Sequence, residues 1–210
     1  MLAKELRISI IAIVFLTIML GLAYPLVVTG VSQVAFKNKA DGSFITRDGK
    51  VVGSKLVAVA PVIDTGKKDS DGNAITVPDT KFFQPRPSAT GYSATATYFA
   101  NRGPNDSAAA YFYRDQIKAY IGLNGKYNPG LRAGTIPIDA VTASASGVDP
   151  HISRANALIQ ARRVAAVDQI PLAKVESLIK ANTDGRFLGV FGEPGVNVTE
   201  LNLAIQNGIR

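Results

Sequence analysis

The stretch ISIIAIVFLTIMLGLAYPLVVTGV, Ile8 to Val31, holds no charged residue, and its reading decides the rest. A helix rises about 1.5 Å per residue and the hydrocarbon core of a bilayer is about 30 Å thick, so roughly 20 residues span it. The run exceeds the roughly 7–15 apolar residues of a cleavable leader, and no small-residue cleavage pattern follows it. It predicts an uncleaved anchor helix over residues 8–34. Lys4 and Arg7 precede the span, and Lys37 and Lys39 follow it, so counting basic residues nearly balances. Long domains cross regardless of their own charge. Residues 1–7 are therefore placed in the cytoplasm and residues 35–210 outside it.

The span is not uniformly apolar. Thr17, Gly21, Pro25, Thr29 and Gln33 recur every four positions, one row on a helix surface. Small and hydroxylated residues on one row let another helix approach closely and give it hydrogen-bonding groups. The row is read as a partner-binding face. Two features qualify it: Pro25 removes the bond to the Gly21 carbonyl, and four-residue steps drift by about 40° each around an ideal helix.

The whole chain has 210 residues, enough for one or two domains. It has no cysteine, which excludes disulfides and thiolate metal sites. The net charge is +7, but the basic residues are scattered and no nucleic-acid motif accompanies them, so no nucleic-acid partner is expected.

Beyond the anchor, Lys37–Lys50 reads as a turn-rich exit punctuated by Asp41-Gly42 and Asp48-Gly49. Val51–Ile63 has strand character, and Asp64–Asp79 reads as a polar loop, giving a loop near 64–80. Pro85 and Pro87 exclude helix from Lys81 to Tyr92 and favour an extended segment. A helix is predicted from Asn105–Ser107 to just before Gly125, with Ala110, Tyr113, Ile117 and Ile121 inward. A second opens at Ser153 with Leu158, Ile159 and Ala166 as its buried stripe. A third follows Pro171 and carries Leu172, Val175, Leu178 and Ile179. FLGVF at Phe187 reads as a short strand. The last helix has Asn197 as cap with Glu200 three residues on. The fold class is α+β: a single N-terminal transmembrane helix followed by one extracytoplasmic α+β domain.

Candidate chemistry is thin. His151, the sole histidine, falls just before a helix cap and reads as an exposed loop residue. Ser177 and Lys180 match S-x-x-K without the S-D-N and K-T-G that this chemistry needs. Asp64-Thr65-Gly66 has no second copy to form a carboxylate dyad. Around Gly125-Lys126-Tyr127, tyrosines stand where a phosphate loop needs glycine and Ser/Thr. Asn105 and Asn197 match glycosylation acceptors, but helix capping explains both. No catalytic residue and no metal site is assigned.

Five stretches in order resemble the C subunit of the Kdp-type potassium-transporting ATPase, the KdpC family. They are YPLVVTGVSQVAF (Tyr24–Phe36), GSKLV (Gly53–Val57), FQPRPSATGY (Phe83–Tyr92), IPIDAVTASASGVDPHIS (Ile136–Ser153) and GRFLGVFGEPGVNVTELNLA (Gly185–Ala204). The resemblance implies a non-catalytic accessory subunit of a high-affinity, ATP-driven potassium-uptake pump in the bacterial inner membrane. Its implied partners are a potassium-carrying channel-like subunit, a P-type ATPase subunit and a very small membrane subunit. It also implies a role in assembly and in raising the catalytic subunit's affinity for ATP. ATP, and nucleotide contacts of the subunit's own, enter through the resemblance only; a domain outside the cytoplasm is expected instead to act on a cytoplasmic ATP site through shared conformational states. The chain departs from the family pattern at Ala58-Val59, in the added length from Ala60 to Thr80, and at Asn101–Asn105. The competing reading is a membrane-anchored extracytoplasmic interaction domain of another envelope complex. An anchored hydrolase has the least support, for want of a nucleophile and base.

Overall fold

A computed structural model describes residues 2–47, 49–93, 95–96, 101–103 and 105–209. Asp48 of the second predicted turn and Pro104 of the Asn101–Asn105 stretch lie outside the described residues. The chain divides into two units, Met1–Ser54 and Lys55–Arg210.

The first unit begins with one apolar helix, Ala3–Ala35, 33 residues long, with none of its most apolar window buried. At about 1.5 Å per residue it reaches about 50 Å, more than a bilayer's hydrocarbon core needs. It is long and apolar enough to span a membrane. The helix takes in Lys4, Glu5 and Arg7, so most of the predicted N-terminal tail is itself helical. It has three parts: α1 (Leu2–Ile18), a π-helical turn (Met19–Ala23) and α2 (Tyr24–Ala35).

The π turn answers the proline. In a regular helix the Pro25 ring would collide with the carbonyl four residues back. Here the Tyr24 N–H bonds Met19 O, five residues back, and the helix widens just before Pro25. The widening also absorbs one residue. From Thr17 to Gln33 the row then drifts by about 60° instead of about 160°. A short helix α3 (Lys37–Ala40) follows, then a hairpin of β1 (Phe44–Arg47) and β2 (Lys50–Ser54).

The second unit is α+β. Its first element corrects the sequence reading: residues 64–79 are not a loop. β3 (Val62–Lys68) and β4 (Ala74–Pro78) pair antiparallel, with Ile63 opposite Val77. The β-branched residues Val62, Ile63, Thr65, Ile75, Thr76 and Val77 favour strand. Asp69 builds the turn by accepting from the Asp71 and Asn73 N–H groups, both at 2.9 Å. The hairpin is exposed throughout, so its polar composition hid it.

Four helices follow: α4 (Ser107–Asn124), α5 (Arg154–Asp168), α6 (Leu172–Ala181) and α7 (Val198–Ile209). α4 is capped by Asp106, whose carboxylate accepts from the Ala108 N–H at 2.9 Å, not by Asn105. Its inward stripe runs through Ala109 and Tyr120, while Ala110 and Tyr113 are exposed. The stripe lies one residue off the predicted one because the Tyr120 hydroxyl bonds Asn156 inside. Gly125 does not stop the helix in a left-handed conformation; the chain tightens into a 3-10 turn over Gly125–Tyr127.

Ser153 caps α5 as expected, accepting from the Asn156 N–H at 3.1 Å. The buried face differs from the predicted one. Ala157, Ala161, Val164 and Ala165 face the core, Leu158 and Ile159 are half-buried, and Ala166 is exposed. Alanines four residues apart leave a shallow surface on which α6 packs, presenting Val175 and Ile179. A small sheet in the order β5–β7–β6 closes the core, from β5 (His151–Ile152), β7 (Gly195–Asn197) and β6 (Thr183–Asp184). Phe83, Ile152, Val196, Leu201 and Ile205 complete it. Burying each large apolar side chain stabilises the fold by about 1.5–3 kcal/mol. FLGVF is not a strand: Phe187 and Phe191 form one bridge around a tight turn, and all five residues are exposed.

Candidate functional site

In the first unit, Thr17, Gly21, Pro25, Thr29 and Gln33 are all exposed. A Cβ added at Gly21 would meet only the Thr17 methyl, at 4.0 Å. No other group of the helix fills that notch. Gln33 is already engaged: its amide donates to Asp41 at 3.0 Å, and Lys37 bridges Asp41 at 2.9 Å.

In the second unit, two stretches far apart in sequence close on each other, Phe83–Tyr92 and Thr142–His151. Arg86 donates to Asp149 at 3.3 Å, to the Thr142 hydroxyl at 3.3 Å and to the Ala143 carbonyl at 3.4 Å. The Ser88 hydroxyl donates to Gly147 O at 2.6 Å and accepts from the N–H groups of Thr90 and Tyr92. Ser144 N–H bonds Pro87 O at 2.9 Å. Gly147 sits at φ +75°, and a Cβ there would lie 2.7 Å from the Thr90 hydroxyl, so only glycine allows this approach. Tyr92 donates to Arg86 O at 2.8 Å, and burial raises its phenol to about 12.

Beneath this lies a polar network. Asp139 accepts from the Ser153 N–H and hydroxyl and from Asn156. Gln160 donates to Asn156 and to Gln84 O, and accepts from the Gln84 N–H. Arg163 joins it from the next turn of α5. The sequence predicts a stripe of Leu158, Ile159 and Ala166 for α5 and carries no sign that its inward face holds an arginine.

His151 is not the exposed loop residue expected from sequence. It lies in β5, half-buried, and its ring crosses the central strand β7 to reach Asp184 on β6 at 3.0 Å. Gly195 makes the crossing possible, since a Cβ there would come within 3.2 Å of the ring. Gly195→Ala is expected to cost about 1–3 kcal/mol in unfolding free energy through this overlap, measured by urea denaturation. Asp149 also faces the ring, at 3.5 Å.

The Asp149 bond is the main cause of the raised His151 pKa; burial opposes it and Asp184 adds to it. Asp149 outweighs the shorter Asp184 contact because its carboxylate is 30 % exposed against 69 %. Burial alone would raise Asp149, but its bonds from His151 and the charge of Arg86 hold it below the usual carboxylate range. A raised histidine lends stability that is complete below its unfolded pKa, 6.5, and fades as pH climbs through the raised value. Stability is therefore expected to decline from about pH 6.5 upward, and His151→Gln to flatten that decline. Urea midpoints across this range read it out; an equal decline in the variant would exclude His151 as the source.

The other sequence candidates are in structural use. Ser177 donates to Lys174 O at 2.7 Å on an exposed helix face. Asp64 and Thr65 brace the β3–β4 hairpin. Asn197 caps α7 through the Glu200 N–H at 3.1 Å and donates to Lys55 O at 2.8 Å. Among the described residues no group of three or more His, Asp or Glu side chains could hold a metal ion.

A cavity of about 160 Å³ is lined by Pro85, Pro87, Tyr92, Gln116, Tyr120 and neighbours, with no cation for phosphate. The hollow at Arg86 is lined by His151 as well and holds Asp149 against both the guanidinium and the imidazole. Another has one guanidinium, Arg162, lining it.

Residues 6–207 match the family described as KdpC: K+-transporting ATPase, c chain. Potassium-transporting ATPase KdpC subunits are similar over nearly the whole chain. That of Polaromonas naphthalenivorans is 43% identical over 203 residues, 95% of this chain and 93% of that protein. That of Rhodospirillum rubrum is 41% identical over 204 residues, 96% and 95% of the two. That of Caldanaerobacter subterraneus subsp. tengcongensis is 40% identical over 193 residues, 92% and 90%. The motifs that zip together in the second unit and the glycines that permit their approach therefore sit in a chain that belongs to the KdpC family, the c chain of the K+-transporting ATPase.

Proposed function

We propose that this chain is a non-catalytic accessory subunit of a high-affinity, ATP-driven potassium-uptake pump of the bacterial inner membrane. Its single span holds the C-terminal domain on the outer side, with the N-terminus in the cytoplasm. Thr17, Gly21, Pro25 and Thr29 face the helices of the channel-like subunit, and Gln33 ends the row at the membrane edge. The P-type ATPase subunit and a very small membrane subunit complete the complex. The observation that carries this reading is family membership over residues 6–207, joined to an exposed membrane-length helix.

The chain stabilises the assembled pump and raises the catalytic subunit's ATP affinity from a distance. A domain held on the outer side has no access to a cytoplasmic ATP site, which favours this indirect route. Contacts of the C-terminal domain with its partners bias a conformational equilibrium that the ATP site also senses. The test is co-purification in mild detergent followed by ATP titration. A P-type ATPase and a channel-like subunit are expected with this chain, with weaker ATP affinity when it is omitted. A pump that assembles and binds ATP equally well without it would defeat the reading.

A further inference from the structure

β6 and β7 are joined by residues 185–194, and every residue from Asp184 to Pro194 is exposed. Four large apolar side chains crowd the tip: Phe187 is 71% exposed, Leu188 76%, Val190 67% and Phe191 63%. Apolar groups gathered on so short a loop are unusual on a folded surface unless something covers them.

The loop has a fixed shape. The Phe187 N–H bonds Phe191 O at 2.8 Å, and the two rings lie 6.5 Å apart. Leu188 and Gly189 have φ of 52° and 76°, so both central residues of the turn are left-handed. Such a turn favours Asn-Gly or Gly-Gly. A leucine there strains the backbone while holding its side chain in water. Strain of this kind clusters at sites of recognition. The root is held as well: Arg186 grips both oxygens of Glu193, at 2.9 and 3.0 Å. His151 ties Asp184, just before the loop, across Gly195, just after it.

We propose that this loop is a preformed apolar finger that seats in an uncharged apolar hollow on another protein subunit of the pump. The inference rests on the function proposed above. Charge selects the occupant. The six residues Phe187–Gly192 carry none, and the flanking Arg186 and Glu193 neutralise each other. An anionic membrane surface would call for flanking cations and interfacial Trp or Tyr. The loop has no Trp or Tyr, and its one cation is paired to a carboxylate.

The test uses the full chain co-expressed with the other pump subunits. With Phe187 replaced by a photoreactive phenylalanine analogue, illumination is expected to give an adduct with another pump subunit. Leu188→Asn combined with Val190→Ser is expected to cut the yield of complex about tenfold. Asparagine suits the left-handed position, so the variant is expected to melt no earlier than the parent. Adducts with lipid alone, or none, or an undiminished yield of the variant complex, would overturn the finger while leaving the accessory role intact. A parent chain that purifies without pump subunits would remove both. If the variant melts early, the adduct alone decides.

Discussion

Arg163→Met is expected to destabilise the C-terminal domain by about 3–5 kcal/mol and to lower its melting midpoint by about 10 °C. Arg163 is fully buried. It donates to Thr80 O at 3.1 Å, Phe82 O at 2.7 Å, the Asn124 side-chain oxygen at 2.8 Å and Gln160 at 3.1 Å. No carboxylate is among these acceptors. Burial pulls the guanidinium down to about 10, so it stays charged at neutral pH. Methionine matches the stem and removes the cost of burying a charge, an effect that can favour the variant when both partners of a pair are replaced. Here the partners remain. Two main-chain carbonyls and Asn124 lose their donor in a dry interior, at about 1–3 kcal/mol each, and that loss wins. Arg163→Lys is expected to recover only part, because one ammonium cannot cover a forked set of acceptors. Thermal and urea unfolding measure both variants; midpoints matching the parent would mean that the 79–84 segment is held by something other than α5.

Gly21→Leu with Thr29→Leu is expected to lower the yield of assembled complex at least about tenfold, or about 1.4 kcal/mol, while the chain still inserts in the membrane. The helix accepts leucine at position 21, since nothing but the Thr17 methyl lies near. The added bulk therefore acts on whatever packs against the row, not on the anchor. Gly30 is equally open and lies about 100° round the helix from Thr29. Gly30→Leu is the control and is expected to leave the yield unchanged. Equal losses from all three positions would show a general sensitivity to bulk and remove the row as a specific face.

The anchor and most helices were legible because their signals are local. An uncharged run, a serine before an apolar period, a proline at a first turn and an Asn197–Glu200 pair each act within a few residues. The errors have non-local or competing causes. The β3–β4 hairpin was hidden because a strand pair open to water on both faces needs no apolar alternation. FLGVF looked like a strand because its residues favour one, yet two left-handed residues reverse the chain inside it. The inward face of α5 was misplaced because Gln160 and Arg163 are buried to hold a loop some eighty residues earlier and Asn156 to bind Tyr120 and Asp139, and polarity usually signals exposure. The joining of Phe83–Tyr92 to Thr142–His151 left no trace in either stretch alone.

The widened turn at Met19–Ala23 makes one residue of the span spare. Shortening the chain by one position inside it would keep the two halves in the same angular phase, but it would return the Pro25 ring to the carbonyl four residues back and kink the rod there. The same excision in α1 or further along α2 would swing one end by about 100° and aim Gly21 and Thr29 in discordant directions. The five residues just ahead of Pro25 thus set both the phase of the row and the room for the proline ring. Elsewhere in the rod the tally of residues, more than their identity, sets which way its far end faces.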